Sequence, residues 1–205
     1  MTAKIKNSRQ KDDGKGKIRV ILITDGDKAA QKAVEGIAKR LNLRCISASG
    51  GNPTPITGRE IVSLLHEAAH DPVLVMFDDR GEMGKNHGEY ALEFVASHPD
   101  VEVLGAVAVA SNTAGEKVAA DICIDAQGHI LKNKAVDKKG EQREGEGAFI
   151  VGDTVNVLNK LKVPLIVGIG DIGKMDQADD ISRGCPITRR AIEEILKKNG
   201  VEVNP

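Results

Sequence analysis

Four nearly continuous apolar runs constrain this chain most: IRVILI (18–23), VLVMF (73–77), VEVLGAVAVAS (101–111) and VPLIVGIG (163–170). None alternates apolar with polar in the way a half-solvated strand does. Strands apolar on both faces are buried on both faces, as in a parallel sheet with helices above and below. The intervening segments supply those helices. Between Asp27 and Leu41, Ala30, Ala33, Val34, Ile37, Ala38 and Leu41 recur at helical spacing. LRCIS (43–47) reads as a further strand, followed by the turn-rich GGNPTP. Thr57 with Glu60 forms a capping box for a helix reaching Ala69, and Asn86 with Glu89 repeats the pattern before YALEFVA.

The later part changes rhythm. DICIDAQGHILKNKAVDKKG reads as two short strands around a Gln-Gly turn, an inserted hairpin at about 120–138 standing off the main sheet. Asp153 is placed to cap TVNVLNKL, and ITRRAIEEILKKNG closes with a helix that has Thr188 near its start and Gly200 after its end. The expected fold is α/β: a doubly wound, mainly parallel sheet of flavodoxin- or Toprim-like kind with a small β-hairpin insertion. It forms one domain over 18–205, preceded by a polar, lysine-rich arm over 1–17. The arm lacks periodicity and is expected to be disordered. Its alternative use is a weak tether to an anionic surface, which Asp12 and Asp13 interrupt.

Bulk properties exclude several functions. With 29 basic and 30 acidic residues the net charge is -1, and nucleic acid is not expected as a partner. Aromatics make up 2% with no Trp, which leaves no stacking platform for single strands. No apolar run approaches the ~18–20 residues of a spanning helix, and no apolar signal segment opens the chain. A soluble product of cytosolic synthesis is expected. Cys45, Cys123 and Cys185 show no metal or disulfide spacing; the first two read as core, and Cys185 as the exposed one.

The acids carry the functional expectation. Parallel strands place their exits on one edge, where ligands bind near the point of strand reversal. The exits TDGD (24–27), DDRGEMG (78–84), ASNT (110–113) and GIGDIGKM (168–175) would gather Asp25, Asp27, Asp78, Asp79 and Asp171, with Ser111, Asn112 and Lys174 nearby. Carboxylates a few Å apart repel by roughly 4 kcal/mol per pair at an effective dielectric of 20. A cation relieves that, and all-oxygen ligands favour Ca²⁺ or Mg²⁺. The competing reading is that these acids cap helices and solvate loops, Asp27 above all.

Two site types resemble this edge. In a phosphoacceptor receiver domain, Asp25 and Asp27 would hold Mg²⁺, Asp78 or Asp79 would take phosphate, and Ser111 or Thr113 would sense it; the usual Lys-Pro exit has no equivalent. TDGDKAAQKAVEGIAKRL resembles the D-x-D segment of Toprim domains, but the glutamate those domains need earlier is missing. The glycines of GIGDIGKM lack phosphate-loop spacing and read as a tight turn with close backbone approach. His66, His70, His87, His98 and His129 form no recognisable catalytic set with Ser or Cys.

A more specific likeness covers nearly everything after the arm, from about Lys17 to Gly200. RVILITDGD, DPVLVMFDDRGEMG, VEVLGAVAVASNT, VGDTVNVLNKLKVPLIVGIGDIGKM and DDISRGCPIT resemble stage V sporulation protein AE in its soluble form, a family encoded in the spoVA operon of spore-forming Bacillales. The operon's similarly named membrane protein is set apart by its spanning segments. The resemblance implies a non-enzymatic accessory role in sporulation and germination. Such a protein would act beside the spore channel that takes up and releases calcium dipicolinate. The implied site is the inner spore membrane, held peripherally. The implied partners are the integral channel subunits and a second soluble component. No catalytic residues carry over from the family.

Overall fold

β1 (Ile18–Ile23) runs through the middle of a seven-stranded sheet in the computed structural model, which describes residues 16–79, 86–111, 117–145, 147–152 and 154–202. The arm expected over 1–17 lies outside these, apart from its last two residues. The other members of this sheet are β2 (Arg44–Cys45), β3 (Val73–Met76), β4 (Val101–Val109), β6 (Ile122–Ile124), β7 (Ile130–Leu131) and β9 (Ile166–Ile169). Their order is β2-β3-β1-β4-β9-β6-β7, parallel except for β7. Both margins are strands of only two residues, β2 and β7.

The doubly wound arrangement follows from the apolar runs. Ile21 and Ile23 face a core shared with α1 (Lys28–Arg40) and α4 (Pro186–Lys198). Val20 and Leu22 face the opposite core, shared with α2 (Gly58–Glu67), α3 (His87–Ala96) and a 3-10 turn over Val155–Lys160. All four β1 side chains are fully buried. Each such aliphatic is worth roughly 1.5–3 kcal/mol, so β1 alone makes slippage of the sheet costly. The chain first winds outward from β1 to β2, returns through β3, and crosses to β4 on the other side. That reversal opens a crevice at the carboxyl ends of β1 and β4.

Local chemistry fixes the details. The capping box is formed: Thr57 N–H donates to Glu60 Oε2 at 2.7 Å and Glu60 N–H to Thr57 Oγ1 at 3.3 Å. A bulge in β4 moves the pairing from Val20↔Val103 to Ile21↔Gly105. At Gly105 any Cβ would lie 2.8 Å from Ile195 Cγ2 and from the Leu165 carbonyl, so only glycine lets α4 pack this closely.

The structure differs from the sequence expectation in three places. The hairpin is present as β6 and β7, but it extends the main sheet instead of standing off it, because β6 pairs in parallel with β9. A second, two-stranded sheet joins β5 (Lys117–Ala119) to β8 (Phe149–Val151). TVNVLNKL forms the 3-10 turn at Val155–Lys160, where two β-branched valines and two asparagines disfavour an α-helix; its expected cap, Asp153, lies outside the described residues.

Candidate functional site

Four strand exits meet at the crevice between β1 and β4. Thr24 closes its base, donating its N–H to Val107 O at 3.1 Å and accepting Val109 N–H at 3.0 Å. The crevice has a volume of about 190 Å³ and is lined by Asp25, Asp27, Asp78, Asp171, Ser111 and Lys138, among others. Of the five sequence-predicted acids, four are therefore brought together.

Each acid is held differently. Asp27 is the N-cap of α1, accepting Ala29 and Ala30 N–H at 2.8 and 2.9 Å. It also accepts Lys174 Nζ at 2.7 Å, and the same ammonium donates to Asp171 Oδ1 at 3.1 Å. Burial works against the Asp27 charge, but Lys174 and the two amides outweigh it and hold the carboxyl below its ordinary value. Lys174 is in turn raised, its pairing with Asp27 and Asp171 overcoming its own burial.

Asp25 is the least satisfied of these acids among the described residues. It is 8% exposed. Its Oδ1 accepts Asp27 N–H at 3.3 Å, while its buried Oδ2 has no hydrogen-bond partner among the described residues. Burial, reinforced by the charge of Asp27, pushes this carboxyl up to about 7.

Asp78 joins the crevice through the GGNPTP loop. Its N–H donates to Thr54 Oγ1 and its carbonyl accepts Thr54 N–H, both at 2.9 Å. Its Oδ2 accepts Gly26 N–H at 3.3 Å. A side chain at Gly26 would meet Gly51 O at 2.9 Å, so glycine keeps the two loops in register.

Asp79 is not part of the site. It is 2% exposed and accepts Gly88 N–H at 2.8 Å and Glu89 N–H at 2.9 Å, which makes it the cap of α3. Asn86, expected in that role, occupies the N-cap position without a side-chain cap bond. Asp78 and Asp79 thus serve different structures, the crevice and the start of α3. Among the described residues, no group of three or more His, Cys, Asp or Glu side chains is arranged around a common point for a metal ion. Lys174 bridges Asp27 and Asp171, so one ammonium offsets one of their two charges and the crevice keeps a net negative wall that a cation would meet at Asp25 Oδ2.

Several contributors carry no sequence motif. Lys138 reaches the crevice because the loop after β7 lies on the exit of β9, where Asp171 N–H donates to Lys138 O at 2.8 Å. Gly170 permits this approach: a Cβ there would lie 2.6 Å from Gly140 N. The glycines of GIGDIGKM thus serve close backbone contact, as expected, and Gly173 has a positive φ of 73°. Asn112 and Thr113 lie outside the described residues. Cys185 corrects the sequence reading: it is 2% exposed, and burial pushes its thiol up to about 12. It sits at the start of α4 beneath the loop instead of on its surface. Among the described residues His87 and His129 have structural partners, Thr54 O at 2.9 Å and the Asp125 carboxylate at 3.2 Å.

Among the described residues no helix is long and apolar enough to cross a membrane. A family model described as stage V sporulation protein AE1 (SpoVAE) matches residues 19–199. No curated protein and no solved structure matches the chain.

Proposed function

Because this chain belongs to the SpoVAE family, stage V sporulation protein AE1, we propose that it is a non-enzymatic accessory component of the spore's calcium dipicolinate channel. It acts in dipicolinate uptake during sporulation and in its release at germination. It is held peripherally at the inner spore membrane, against the integral channel subunits and a second soluble component. The family match over residues 19–199 is the observation that carries the sporulation role. Crosslinking in sporulating cells tests the rest: capture of a channel subunit is the expected result, and capture of none would sink the proposal.

Within this role the crevice takes Ca²⁺ or Mg²⁺. Its donors are oxygens, the type both ions prefer, and an ion that keeps part of its water needs few protein ligands. The support is the gathering of Asp25 and Asp78 at one edge, with the Asp25 Oδ2 buried and, among the described residues, without a hydrogen-bond partner. Calorimetry with both ions on the native chain and on a D25A/D78A variant tests it. Equal, negligible heats for both proteins would retire the ion.

A second reading is a Mg²⁺-dependent phosphoacceptor or a related phosphoryl-transfer protein. It is favoured by Asp78 and Ser111 lining the same crevice as Asp25 and Asp27. Acetyl phosphate with Mg²⁺ should then label the chain, and Asp78→Asn should abolish the label.

A further inference from the structure

A second cleft lies between the tip of the β6–β7 hairpin and the first turns of α4. Its volume is about 330 Å³, and it shares no lining residue with the acid crevice. Three arginines line it, Arg183, Arg189 and Arg190, against one carboxylate, Glu193. Glu194 and Asp180 lie beside Arg190 and Arg183 outside the lining, so the cleft is a place where guanidiniums converge and not a patch of net positive charge.

The guanidiniums are incompletely satisfied. Arg189 Nε is buried and, among the described residues, has no hydrogen-bond partner. It stands 3.4 Å from Glu193 Oε1, an ion contact without hydrogen-bond geometry. Arg190 engages Glu194 through Nε at 3.0 Å, which fixes its plane. Arg183 is anchored by one nitrogen to Gln177 O at 3.2 Å. The Nε donor is thus unmet while the Arg189 side chain stays 35% exposed, so an acceptor reaching this guanidinium gains a charge-assisted hydrogen bond.

The helix amides do not compete for the ligand. Pro186 has no N–H, and those of Ile187 and Thr188 donate to Asp179 Oδ1 at 2.7 and 3.0 Å. Recognition therefore falls to the guanidinium forks, which match carboxylate and phosphate oxygens in pairs. Ala178, Pro186 and Ile187 add apolar surface between them. The volume lies at the lower end of small-molecule sites and exceeds what a lone inorganic anion fills.

We propose that the Arg183–Arg189–Arg190 cleft binds a small organic dianion, with acidic oxygens on the guanidiniums and an apolar body on Pro186 and Ile187. The test is calorimetry on the full chain at low ionic strength, with isophthalate as the organic dianion and inorganic phosphate as the anion without a body. Isophthalate should bind saturably and more tightly than phosphate. R189Q/R190Q should weaken it at least tenfold, and Glu193→Gln should leave it equal or tighter. If the double variant does not fold, the exposed Arg183→Gln is read in its place, with a severalfold loss expected. No saturable isophthalate heat, or binding unchanged in the arginine variants, overturns the site. Phosphate binding as tightly as isophthalate overturns the organic ligand.

Discussion

Lys174 Nζ lies 2.7 Å from Asp27 Oδ2, a contact between residues 147 positions apart. It ties the exit of β9 to the first turn of α1, and the same ammonium reaches Asp171 Oδ1 at 3.1 Å.

Replacing Lys174 with methionine should therefore loosen this corner. The side chains are 45% and 34% exposed, so solvent screening limits the loss to about 0.5–1 kcal/mol at neutral pH. The Asp27 carboxyl is depressed in the folded chain. Its stabilisation is present above the unfolded value of about 3.9 and disappears as pH falls through the lower folded value. Urea unfolding should show the gap between native and K174M closing in acid and narrowing in high salt. A gap independent of both would refute the ion pair.

Asp25 predicts the opposite pH trend in the metal-free chain. Its folded value, about 7, exceeds the unfolded one. Its contribution is complete below pH of about 4 and is lost as pH rises to about 7. Asp25→Asn should remove this slope and stabilise the chain at pH 8, by an amount on the order of 4 kcal/mol. Unfolding curves at half-unit pH steps read it directly; a slope that persists in D25N assigns it to another group.

Asp79 should behave as a cap. Asp79→Ala should cost about 1–2 kcal/mol and speed hydrogen exchange at the Gly88 and Glu89 amides. Cation heats should stay as in the native chain. Unaltered exchange with lost cation heat would return Asp79 to the site.

Gly170→Ala should force the loop carrying Lys138 away from β9, since the added methyl meets Gly140 N at 2.6 Å and Lys138 O at 2.7 Å. Overpacking against backbone of this kind costs about 1–3 kcal/mol. Thermal unfolding measures it, and a neutral result would mean the loop yields freely.

Much of this architecture was legible in the residues because its determinants are local. Apolar runs marked β1, β3, β4 and β9, while Asp27 and the Thr57–Glu60 pair marked the starts of α1 and α2. What escaped is non-local. An Asp-Asp pair after a strand reads the same whether a carboxylate faces the crevice or a helix start nine residues on, and Asp79 does the latter. RGCPIT reads as an exposed loop, yet packing on α4 buries Cys185. The pairing of β6 with β9 spans more than forty residues and has no signature in either segment. Three-residue strands such as β5 and β8 are too short to show a period.

The two-residue strands at either margin of the sheet have a consequence for crowding. A neighbouring molecule finds almost no open ladder of amides and carbonyls onto which to add a strand of its own. Molecules packed at high density should stay separate folded units instead of fusing into shared sheets.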